Sequence, residues 1–94
     1  MPVGILIIQL ALPGCTSLKD KRRRIAPILH QIHKKFNVSI SETALQDVWQ
    51  NACLSCAIIS NEKVHIEQSL LNVIKYVESH WPDETILRND IEIL

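Results

Sequence analysis

Val3-Gly-Ile-Leu-Ile-Ile-Gln-Leu10 is the stretch on which the fold turns. Both of its alternating rows are apolar: Val3, Ile5 and Ile7 on one, Leu6, Ile8 and Leu10 on the other. Successive side chains of a strand point to opposite faces, so this strand is apolar on both and belongs at the centre of a sheet. Leu12-Pro13-Gly14 ends it, since Pro and Gly punctuate a chain.

Moving outward, Ser17 opens a helix, with Asp20 three residues later in a capping-box arrangement. Leu18, Ile25, Ile28, Leu29, Ile32 and Phe36 recur at helical spacing and form its apolar stripe. Pro27 removes the donor for the Arg23 carbonyl, which predicts a kink near residues 23–27 or two shorter helical pieces. Asn37 stops the helix. Val38 to Thr43 alternates apolar and polar and reads as an edge strand. Leu45 to Gln50 is a connection. Ala52 to Ile59 is a third strand, apolar enough to be central. Ser60-Asn61 caps a second helix, whose stripe is Ile66, Leu70, Val73, Ile74, Val77 and Trp81 and which runs to about His80. Thr85 to Leu94 is the last strand.

The order is β-α-β-β-α-β. Two right-handed crossovers joined by a hairpin give an α+β ferredoxin-like sandwich: a four-stranded antiparallel sheet with two helices on one face. All 94 residues fit one domain, and 47% hydrophobic with 21% charged residues excludes a disordered chain. The longest apolar run, Val3 to Leu12, falls well short of the ~18–20 residues that span a bilayer. No basic stretch precedes it, so no signal peptide is expected, and the protein reads as cytoplasmic with reduced cysteines.

The helices should cover Val38, Ile40, Leu54, Cys56, Ile58, Ile91 and Ile93. The opposite face then holds Ser39, Ser41, Cys53, Ser55, Ala57, Asp90 and Glu92 around one apolar row of the first strand. An apolar strip on an open sheet face suggests a homodimer, through that face or an edge.

The formal net charge is zero, yet it is unevenly spread. Residues 1–36 carry seven cations and one anion, a net +6; residues 37–94 carry three cations and nine anions, a net −6. Lys19, Lys21, Arg22, Arg23 and Arg24 crowd the first turns of the first helix, where the helix dipole disfavours cations. With Lys34 they are the candidate nucleic-acid contacts, aimed at phosphates; a solvated or internally paired basic face is the plainer explanation. Base stacking of the kind used by RNA-recognition motifs is not expected, because strands one and three contain no Phe, Tyr or Trp.

Other clusters point to structure. Cys53 and Cys56, three apart in a strand, face opposite sides and cannot easily share a metal. Cys15 falls on a loop. His30 and His33 share a helix face without a carboxylate or thiol to complete a metal set. No catalytic grouping, metal site or cofactor motif is apparent. Asp47 and Trp49 lie in the hairpin between strands two and three and form a candidate partner-binding pair. The burial habits of Trp favour instead a residue covering one end of the core.

Leu12-Pro13-Gly14-Cys15-Thr16-Ser17-Leu18-Lys19-Asp20-Lys21-Arg22 resembles the LPG-x-x-SLK-x-KR signature of the YlxP-like family, small bacterial proteins carrying a domain of unknown function. Phe36 to Ile40, Gln46 to Gln50, Ala57 to Asn61 and Glu92 to Leu94 are similar to its later segments. The resemblance implies a ferredoxin-like, cytoplasmic protein. Members are often encoded near translation and ribosome-maturation factors, which implies a role around RNA or the ribosome, and no catalytic residues carry over. The expectation is therefore a non-enzymatic, dimeric module that contacts RNA or a ribosome through its basic helix start. The alternative is a dimeric regulatory module that holds a small ligand at the Leu12–Ser17 loop.

Overall fold

The computed structural model describes residues 2–94. Its elements are β1 (Val3–Ala11), α1 (Leu18–Lys35), β2 (Ser39–Ala44), β3 (Asn51–Ile59), α2 (Lys63–His80) and β4 (Thr85–Ile93). The sheet order is β2-β3-β1-β4, and every neighbouring pair is antiparallel. This is the ferredoxin-like α+β arrangement, with the two apolar strands at the centre.

The register explains the core. Leu6 lies between Cys56 and Ile91, and Ile8 between Leu54 and Asn89. Leu6, Ile8, Leu10, Ala52, Leu54, Cys56 and Ile58 are buried beneath Ile25, Ile28 and Ile32 of α1 and Ile66, Leu70, Val73 and Val77 of α2. Phe36 and Tyr76 meet edge to face at 5.6 Å, and Tyr76 meets Trp81 at 5.8 Å; these half-buried rings pack against the core. Burial pushes the Cys56 thiol up to about 11. Cys53 points to the other face, as its spacing required.

Four local expectations change. α1 runs unbroken through Pro27, so the two-piece alternative is not realised. Pro27 and Arg23 are both exposed, so water can take the carbonyl that loses its donor. α2 begins at Lys63; Glu62 is its N-cap without a side-chain bond, and the Ser60 hydroxyl instead accepts from the Glu62 N–H at 3.3 Å. Cys15 is 1% exposed and belongs to the core, because the loop dips inward between Pro13 and Ser17. Ile91 stays 36% exposed although its row faces the helices, since β4 is an edge strand that they cover lightly.

Gly4 sets how closely α2 can approach. A Cβ built there would lie 2.2 Å from Ile66 Cγ2 and 3.1 Å from Leu70 Cδ1. Both partners are fully buried and have nowhere to go. Gly4→Ala should therefore lower the unfolding free energy by about 1–3 kcal/mol, the usual cost of overpacking a core. Urea unfolding measures this, and an unchanged midpoint would show that α2 shifts freely on the sheet.

Candidate nucleic-acid interface

The start of α1 is built by its own sequence. The Ser17 hydroxyl accepts from the Asp20 N–H at 3.0 Å, satisfying one of the donors a helix N-terminus leaves open. Gly14 adopts φ +73°, a left-handed turn conformation that suits glycine. The helix N-terminus at the Leu12–Ser17 loop is thus capped from within.

The structure divides the six sequence-selected cations into two classes. Lys21 is not a phosphate contact. It is 1% exposed, and its Nζ donates to the Leu45 carbonyl at 2.6 Å and lies 2.8 Å from Glu42 Oε2. The contact with Glu42 is an ion pair without hydrogen-bond geometry; the bond to Leu45 supplies the directed interaction. Arg24 is also committed inward. It pairs with Glu84, to which its Nε donates at 3.1 Å, and its Nη1 donates to the Pro13 carbonyl at 2.8 Å. The Glu84 hydrogen bond raises the Arg24 pKa further.

Lys19, Arg22, Arg23 and Lys34 are exposed. Arg23 pairs with Asp20, and the guanidinium hydrogen bond holds that carboxyl below the usual carboxylate range. At 100° per residue these four share one side of α1 with His30, along roughly 23 Å of helix. The residue sequence reasoning misplaced, Lys21, had a visible signal. Lys21, Ile25, Ile28 and Ile32 follow at spacings of four, three and four, which is the core stripe itself.

The hairpin tip is fastened beside this helix start. Lys21 holds Leu45, the Gln50 carbonyl accepts from the Leu12 N–H at 2.8 Å, and Gln50 Nε2 donates to the Cys15 carbonyl at 3.2 Å. Leu45 sits at φ +60°, which costs a branched residue about 1–2 kcal/mol. Trp49 does not cover the core, as the burial habits of Trp suggested; it is 46% exposed, with Asp47 and Val48 exposed in the same turn.

A groove of about 750 Å³ lies between the two helix ends, lined by Pro13, Asp20, Arg23, Arg24, Trp81 and Glu84 among others. Its arginines are already paired with its acids. Among the described residues, no three His, Cys, Asp or Glu are grouped to hold a metal, and no helix is long and apolar enough to cross a membrane.

Comparison with known proteins bears on this geometry. Residues 3–90 match the family described as "Protein of unknown function (DUF503)". The chain belongs to that family. The "Uncharacterized protein YlxP" of Bacillus subtilis (strain 168) is 41% identical over 90 residues, covering 94% of this chain and 97% of that one. A de novo designed protein, Foldit4, aligns over 100% of this chain and 97% of its own with a TM-score of 0.56 and 11% identity, a likeness of fold alone. In this DUF503 protein the signature residues have structural tasks: Leu12 is buried, Ser17 caps α1 and Lys21 ties α1 to the hairpin.

Removing the Lys21 ammonium strands Glu42 and the Leu45 carbonyl. Lys21→Ala should cost about 3 kcal/mol, the low end for a broken buried pair because Glu42 keeps some solvent contact. Lys21→Met, which keeps the apolar stem, should cost less. Denaturant titration of both variants checks the order.

Proposed function

We propose that this protein is a non-enzymatic, dimeric module that contacts RNA, free or within a ribonucleoprotein such as the ribosome, through the outer side of α1. The observation that carries the reading is the sorting of cations. Lys21 and Arg24 turn inward to carbonyls and acids, while Lys19, Arg22, Arg23 and Lys34 are left on one exposed helix side. A row of cations on one helix side suits a phosphate backbone, and such binding releases counterions and weakens with salt. Alanine at Lys19, Arg22 and Arg23 together should weaken RNA binding. It should also lower the slope of log affinity against log salt by about 2, at roughly 0.7 per lost contact to a single strand. Lys75→Ala, which removes an exposed cation of α2, should leave affinity unchanged. Equal affinity and slope for the triple variant would sink the reading.

The open sheet face supports the dimer. Ile7 is 42% and Ile59 63% exposed, with Val3 and Ile5 half-buried beside them. Three strands of nine residues and one of six make a footprint on the order of 500 Å², against roughly 800 Å² per partner in a stable interface. The occupant it fits is a second copy. Bulky Ile5 and Ile7 of β1 pair with small Ala57 and Ser55 of β3, so a two-fold axis along the strands sets each large row over its partner's small row. The same axis brings Asp90 and Glu92 of β4 to the hydroxyls of Ser41 and Ser39 on β2 of the other copy. Sedimentation velocity should show a dimer that Ile7→Lys dissociates and that Val64→Lys, on the exposed side of α2, does not. A wild-type monomer at high micromolar concentration would rule this out.

A further inference from the structure

We infer that the outer edge of β4 takes up an extended protein segment in which cationic and apolar residues alternate, adding it to the sheet as a fifth strand. This goes beyond the α1 surface and does not depend on it. Val3 and Leu94 exchange both backbone hydrogen bonds, at 3.2 and 2.8 Å. Bonding toward one neighbour alternates along an antiparallel strand. The register sets Ile93, Ile91 and Asn89 opposite Gly4, Leu6 and Ile8. The N–H and C=O groups of Asn89, Ile91 and Ile93 therefore point away from β1, and β4 is the last strand of the sheet. The register shift lies opposite Gln9 and Leu10, so Arg88 to Ile93 is a regular stretch. It is an open pairing edge of the kind that accepts an added strand.

The side chains beside that edge decide what it fits. Asp90 and Glu92 stand opposite Ile7 and Ile5 on the open face, and both are exposed. Arg88 is the only cation of β4; it sits next to the irregular end and lies 3.5 Å from Asp90. On the helix side Ile91 is 36% exposed. Glu67, Leu71, Ile74 and Glu78 recur at spacings of four, three and four along one side of α2. Tyr76, on the opposite side of α2, meets Phe36 at the end of α1, and α2 packs on β1 and β4. The Glu67–Glu78 strip thus overlooks the β4 edge. Leu71 within it is 47% exposed, and Glu67 and Glu78 are exposed at its ends.

A strand laid along β4 alternates between these two surroundings. Its helix-side residues come beside Ile91 and Leu71, and its open-side residues beside Asp90 and Glu92. Alternating apolar and cationic residues satisfy both. A second copy fits less well. Two-fold pairing centred on Ile91 sets Asp90 against Glu92, and centred on Asp90 it sets that residue against itself; like charges directly opposite destabilise a pair. Centred on Asn89, the pairing runs at both ends into the irregular residues before Arg88.

The test is amide hydrogen exchange by NMR with the capped heptapeptide Lys-Val-Lys-Val-Lys-Val-Lys. With peptide at ten times its dissociation constant, exchange at Asn89, Ile91 and Ile93 should slow about tenfold, and the other edge strand, β2, should not change. Lys-Lys-Lys-Lys-Val-Val-Val, equal in composition, and a peptide with Glu for each Lys should give no protection there. Asn89→Pro removes an outward donor and no bond to β1, a position where an edge strand tolerates proline. It should weaken binding about 3- to 10-fold, as one lost hydrogen bond does. The wild-type exchange decides the matter even if that variant does not fold. Alanine at Lys19, Arg22 and Arg23 together should leave the protection in place, which separates this edge from the α1 surface. Equal protection by the block peptide would reveal bulk charge attraction and overturn the inference, as would no protection of β4 by the alternating peptide. Protection of the same three amides in the concentrated protein alone, with none added by peptide, would give the edge to a second copy and overturn it as well.

Discussion

A lysine ammonium inside a protein must find oxygen, and Lys21 finds it in the Leu45 carbonyl and the Glu42 carboxylate. Taking that charge out of water costs several kcal/mol, so the pair adds little net stability. Its consequence is positional. The bond to Leu45 joins the second turn of α1 to the tip of the β2–β3 hairpin, twenty-four residues further along the chain. It holds Leu45 in a backbone conformation that a leucine would not adopt alone. The helix start and the hairpin tip therefore form one surface.

The same bond changes the meaning of the basic helix start. Five cations in two turns next to the positive end of a helix dipole are a conflict when read along the chain. Part of the conflict dissolves in three dimensions. Lys21 and Arg24 serve the fold through Glu42 and Glu84, acids drawn from the negatively charged remainder of the sequence. Asp20 offsets Arg23 locally. Lys19 and Arg22 are left exposed without such a partner among the described residues.

Much of the fold was legible because burial leaves a periodic trace. β1 read as central from its two apolar rows, and it does lie between β3 and β4. The stripes of both helices matched their buried sides, and Ser17 capped α1 as its position required. Exceptions arose where a residue's type misleads about its place. Lys21 sits on the core stripe but is charged, so its periodicity and its chemistry point to different places. Cys15 and Trp49 exchanged their expected environments: the loop thiol is buried, and the indole is in solvent. Neither residue belongs to a periodic element, so no pattern in the chain marked its depth.

The sequence by itself determined the element order, the central strands, the helix faces and the family, because each of these follows from local periodicity or from a contiguous motif. Tertiary structure alone decided which cations face solvent. That choice depends on acids and carbonyls far away in sequence, Glu42, Leu45 and Glu84, which meet Lys21 and Arg24 only once the sheet has brought them there. It also decided that the hairpin tip stands beside the helix start. Ion pairs and turn positions between distant segments carry no period, and only the folded chain displays them.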